Sequence, residues 1–123
     1  MDADAWAWEQ RGYVTWELAV IVTVKRSGTL SVRTANVETD EGKESALLLF
    51  RNHTEAQAYR EDTKQVAGYG IVGVEETRIA GLLGRYGLRW VAMADSWDEH
   101  AHLKVDTYDG ERFLAMLEKG FKA

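Results

Sequence analysis

Tyr13-Val14-Thr15-Trp16-Glu17-Leu18-Ala19-Val20-Ile21-Val22-Thr23-Val24-Lys25 is the stretch on which the fold turns. Val14, Trp16, Leu18, Val20, Val22 and Val24 occupy alternate positions, with Tyr13, Thr15, Glu17, Thr23 and Lys25 between them. Successive side chains on a strand point to opposite faces, so this alternation predicts a long, half-buried strand. Ala19 and Ile21 interrupt the polar set and predict partial cover on the second face too.

The neighbouring sequence extends that strand into a meander. Ser27-Gly28 supplies a residue that tolerates the positive φ of a tight turn. Leu30 to Glu38 alternates again, and Asp40-Glu41-Gly42-Lys43 reads as the next turn. Ala46 to Phe50 is a continuous apolar run, as in a strand covered on both faces. Thr54 and Gln57 have the spacing of a capping box and predict a helix to about Val66, with Ala56, Tyr59, Thr63 and Val66 inward and Gly68 ending it. Tyr69 to Val74 is a short strand.

Ile79, Leu82, Leu83 and Tyr86 then form one apolar stripe in a helix over Glu75 to Tyr86, with Gly87 as its terminating residue. Leu88 to Ala94 is a strand, Asp95 to Ala101 an acidic loop, and His102 to Tyr108 the last strand. Asp109 caps a final helix with Phe113, Met116 and Leu117 inward, which stops at Gly120, and Phe121 folds back on Met116. The expected fold is α+β, a mixed, mainly antiparallel sheet in the order βββαβαββα with helices packed on one face.

The 123 residues are the length of one domain, here 1–123, with 1–12 as a peripheral N-terminal segment. At 46% hydrophobic and 28% charged residues the chain is able to bury a core without metal or disulfide. It contains no cysteine, which excludes disulfides and thiol chemistry and points to a reducing compartment, the cytoplasm. Met1 to Gly12 has neither the basic start nor the apolar middle of a signal peptide, and the apolar run Leu18 to Val24 is too short to span a bilayer. Neither nucleic acid nor membrane is expected as a partner. The net charge is −5 and acids cluster at Glu38–Glu44 and Asp95–Glu99, whereas phosphate contacts need a basic surface.

Few residues invite chemistry. His100 and His102 stand two apart, so on a strand both imidazoles share a face and could hold one divalent metal, with Asp95 as a third ligand. The plainer reading is two polar side chains on an acidic loop. Gly68-Tyr69-Gly70-Ile71-Val72-Gly73 spells a dinucleotide-binding fingerprint, but it follows a helix instead of opening one, and phosphate needs the helix start. Ser96, Asp98 and His100 lie too close together to form a triad. Glu75 and Glu76 diverge on a helix, and Arg78 and Arg85 read as a solvated face. Trp6, Trp8 and Trp97 are candidates for a ligand or partner surface, against the reading that they close one end of the core.

Leu48-Leu49-Phe50-Arg51-Asn52-His53-Thr54-Glu55-Ala56-Gln57-Ala58-Tyr59 runs from an apolar strand through a short turn into a "TEAQAY"-type helix. Ile71-Val72-Gly73-Val74 and Leu82-Leu83-Gly84-Arg85-Tyr86-Gly87-Leu88 follow. Over residues 47–95 this succession resembles the SseB-like domain. That family often carries an Asn-Pro-Gly-like turn after the last strand, where this chain has Asp95-Ser96-Trp97. The resemblance implies an accessory or interaction role and carries over no catalytic residue.

Three functions are therefore expected, in order. The first is a non-enzymatic module binding a protein partner or itself, as a homodimer joined through strand edges. The second is a small metal-dependent enzyme using His100, His102 and Asp95 to hold a divalent cation. The third is a small-ligand-binding domain with Trp6, Trp8 or Trp97 at the mouth of a pocket.

Overall fold

Leu18, Ala19, Val20, Ile21 and Val22 are all buried. Strand β1 (Ala19–Val24) is thus covered on both faces there, where the alternation predicted a half-buried strand and Ala19 and Ile21 partial cover on its second face. The computed structural model describes residues 18–24, 30–63, 69–100 and 102–120. The start of the predicted first strand at Tyr13–Glu17, the Ser27-Gly28 turn, Trp6, Trp8, Val66, Gly68 and Phe121 lie outside them.

Among the described residues there are seven strands and three helices, in the predicted α+β order. β1 lies between β2 (Leu30–Val32) and β5 (Gly70–Gly73), antiparallel to both. The second sheet has the order β3 (Thr34–Thr39), β4 (Gly42–Leu49), β6 (Trp90–Trp97), β7 (Leu103–Asp109). Only β4 and β6 are parallel, and the chain between them supplies the long crossover that parallel pairing requires. The predicted single sheet is therefore two. The run read as one strand, Leu30 to Glu38, divides at Arg33, whose N–H donates to the Ile21 carbonyl at 2.7 Å. β2 pairs with β1 and β3 crosses to β4. The sheets also meet where Ala19 and Phe50 exchange backbone hydrogen bonds of 3.1 and 2.9 Å.

Two clusters form the core, one on each face. Leu18, Val20, Leu47, Leu49, Val91 and Met93 pack with Ile79 and Leu83 of α2 (Glu76–Arg85) and with Phe113, Met116 and Leu117 of α3 (Gly110–Gly120). Ala19, Ile21, Ala46, Leu48, Phe50, Ala92 and Ala94 pack with Ala56 and Tyr59 of α1 (His53–Asp62). The expectation of helices on one face holds for α2 and α3. α1 takes the other face because the strands are apolar on both sides.

Boundaries moved for local reasons. α1 is capped by Asn52, whose side-chain oxygen accepts the Glu55 N–H at 2.8 Å, and not by the predicted Thr54. It ends at Asp62, with Thr63 buried and extended. Gly87 follows α2 at φ 63, the left-handed position expected of it. Asp109 caps α3 as predicted, its Oδ1 accepting the Glu111 N–H at 2.9 Å. β6 runs on through Trp97, into the segment predicted as an acidic loop, because Ser96 and Trp97 pair with Lys104 and Leu103 across a bulge.

Candidate functional site

Of the residues singled out for chemistry or binding, Asp95, Trp97, His100 and His102 lie at the β6–β7 end. Trp97 lies edge-on to Tyr59, with ring centroids 5.4 Å apart, and Tyr59 rests on Phe50 at the same spacing. The Trp97 indole N–H donates to Asp62 at 2.7 Å. This indole is the outer member of a stack that fastens α1 to the sheet. A shallow cavity of about 230 Å³ beside it is lined by Glu55, Asp95, Ser96 and Trp97.

Asp95 turns to Arg51. The guanidinium donates to the Asp95 carbonyl at 2.9 Å and stands 3.7 Å from its carboxylate and 3.9 Å from that of Glu55. The two imidazoles have centroids 6.1 Å apart and lean on different carboxylates, His102 on Asp98 at 3.1 Å and His100 on Glu99 at 3.6 Å. Among the described residues, no group of three or more His, Cys, Asp or Glu side chains is placed to hold a metal ion.

Asp98 organises the turn instead. One of its oxygens accepts the N–H groups of both His100 and His102 at 2.9 Å. The His102 amide is the main reason its carboxyl is held below the usual carboxylate range, aided by the His100 amide and by the His102 ring. A carboxyl whose folded pKa lies below its unfolded one stabilises the structure above the unfolded value and loses that contribution as pH falls through the folded one. In an acid titration followed by NMR, the His100 and His102 amide resonances should therefore move with an Asp98 midpoint below that of aspartate in an unstructured peptide. Asp98→Ala should abolish the movement. A midpoint at or above the peptide value would show that these bonds do not form in solution.

A second cavity, of about 340 Å³, lies between α2 and α3 over Leu83, Leu88 and Leu114. Two of its polar lining residues have partners: Arg89 pairs with Glu41 at 3.0 Å, and Asp109 caps α3. Arg85, read from the sequence as part of a solvated face, lies over the Tyr86 ring at 5.6 Å.

Among the described residues, each outer strand has one edge that pairs with no other strand. In the two sheets β3, β7, β2 and β5 are the outer strands. The direction of the β5 backbone follows from its register with β1. Val74 N–H donates to the Leu18 carbonyl at 2.7 Å, so Leu18 and Val74 are a hydrogen-bonding pair. Such pairs alternate along an antiparallel ladder. Val20 with Val72 and Val22 with Gly70 are then the next, and the backbone groups of Ile71 and Gly73 point away from β1. β1 agrees, since Ala19 and Ile21 bond on its other side, to Phe50 and Arg33. This edge was not foreseen, because a sequence does not say which strand ends a sheet. The available sign was a strand, Gly70-Ile71-Val72-Gly73, without one charged residue. No helix among the described residues is long and apolar enough to cross a membrane. No family model matches this chain, and no curated protein or solved structure matches it either.

Proposed function

We propose that this chain is a non-enzymatic interaction module that associates with itself, as a homodimer, by lending the edge of a sheet. The observation that carries this reading is that, among the described residues, no strand pairs with the outer edges of the two sheets, while several side chains nominated for chemistry have structural partners. Asp98 holds a turn, Asp95 faces Arg51 and Trp97 is tied to Asp62. An unpaired row of N–H and C=O groups is a template for another strand. The resemblance to the SseB-like domain favours the same accessory role, and a chain without cysteine suits the reducing cytoplasm.

Light scattering during size exclusion, on samples from about 10 µM to about 1 mM, tests this, because short strand-edge contacts belong to the weak class of interfaces. The expected result is a mass that rises with concentration from the 13.9 kDa of one chain toward twice that value. A mass that stays at 13.9 kDa throughout would overturn self-association.

A further inference from the structure

The geometry points to β5 as the edge that pairs, and to a second copy of this chain as its occupant, in antiparallel register about a two-fold axis at Val72. This inference rests on the self-association proposed above and names its surface.

The first argument is charge. The chain carries −5, so two copies repel at long range, and an edge that brings no charge of its own adds nothing to that repulsion. β3 includes Glu38, and β7 includes Lys104, Asp106 and Asp109. Antiparallel self-pairing of β7 about its middle residue sets Asp106 against Asp106 of the other copy, and like charges directly opposite are destabilising. β5 is Gly-Ile-Val-Gly. β2, the other uncharged outer strand, is three residues long, and its Ser31 and Val32 are already half-buried.

The second argument is the side chain at the axis. Val72 is 44% exposed and is the large exposed hydrophobic residue among the described ones. The outward backbone groups belong to Ile71 and Gly73. With the axis at Val72, Ile71 of each copy faces Gly73 of the other, and these are the hydrogen-bonding pairs. Val72 then faces Val72 of the second copy as a non-hydrogen-bonding pair, the kind in which side chains approach most closely. The exposed valine covers its own counterpart. A β-carbon at Gly73 would meet nothing within 4 Å, so the strand offers no side-chain obstacle there. The product is one continuous sheet, β2-β1-β5 followed by its symmetric counterpart.

Three variants test it in the same light-scattering series. Val72→Lys places two ammonium groups face to face at the axis while its stem still covers Val20. It should remain at 13.9 kDa at every concentration, with unchanged circular dichroism. Gly73→Pro removes an outward N–H and keeps the bonds to β1, a placement that edge strands tolerate. It should weaken the dimer by about tenfold or more. Thr107→Lys, an exposed change on β7, should leave the dimer intact. If the unaltered chain dimerises and Val72→Lys and Gly73→Pro do so equally well, the β5 assignment is wrong although self-association stands. Loss of the dimer in Thr107→Lys alone would transfer the interface to β7. A monomeric unaltered chain would remove the reading on which this inference rests.

Discussion

Phe113→Ala will lower the stability of the chain by about 3–5 kcal/mol, the range for truncating a fully buried phenylalanine. Phe113 is 0% exposed and lies at the centre of the cluster shared by α2, α3 and the sheet. Its ring stands 5.9 Å from that of Tyr108, the β7 residue paired with Val91. Removing the ring leaves a void bounded by two helices and two strands, and such walls close only in part. Domains of this kind have a total stability of about 5–15 kcal/mol, so the loss takes a large share. Urea denaturation checks it. The midpoint should fall sharply with the slope unchanged, because the surface exposed on unfolding stays nearly the same. Leu114→Ala, at a half-buried neighbour on α3, should cost clearly less. A loss below about 1 kcal/mol for Phe113→Ala would mean that α3 does not close this side of the core.

That helix was legible in the sequence, and the reason is local. Phe113, Met116 and Leu117 recur at helical spacing behind an aspartate cap, and neither signal depends on the rest of the chain. The same holds for Ile79, Leu83 and Gly87 in α2. β1 was legible as a strand, and Ala19 and Ile21 signalled partial cover on its second face but not how complete that cover is. They share a core cluster with Tyr59 and Ala56 of α1. Their cover comes from more than 30 positions away, which no period within the strand records. The break at Arg33 did leave a trace. Leu30 and Val32 occupy even positions and Ala35 and Val37 odd ones, so the apolar set changes phase where the partner changes from β1 to β4. The residues picked for chemistry were picked for their types. Whether Asp95 would face the imidazoles or Arg51 was decided by the bulge between Ala94 and Ser96, and a bulge leaves no composition behind it. The β5 edge was silent because being last in a sheet is a property of the assembled strands.

Phe50→Ala will cost a similar amount, about 3–5 kcal/mol, but its local signature will differ. Phe50 is 0% exposed and belongs to the cluster on the α1 face. Its backbone joins the two sheets through Ala19, and its ring supports Tyr59, which supports Trp97. Truncation therefore removes the base of the stack that holds α1. The Trp97 indole N–H, bonded to Asp62 on α1, should exchange with solvent faster than in the unaltered chain. In Phe113→Ala the same proton should exchange nearly as it does in the unaltered chain. The two phenylalanines lie on opposite sides of the strands, in clusters that share no side chain. The milder variants Phe50→Leu and Phe113→Leu, combined in one chain, should then add to within about 0.5 kcal/mol. A coupling above about 1 kcal/mol would show the strands between them shifting as a unit, so that one side of the core senses the other. Additivity would instead establish two cores built back to back on one set of strands, with Ala19 to Val22 of β1 buried because they serve both.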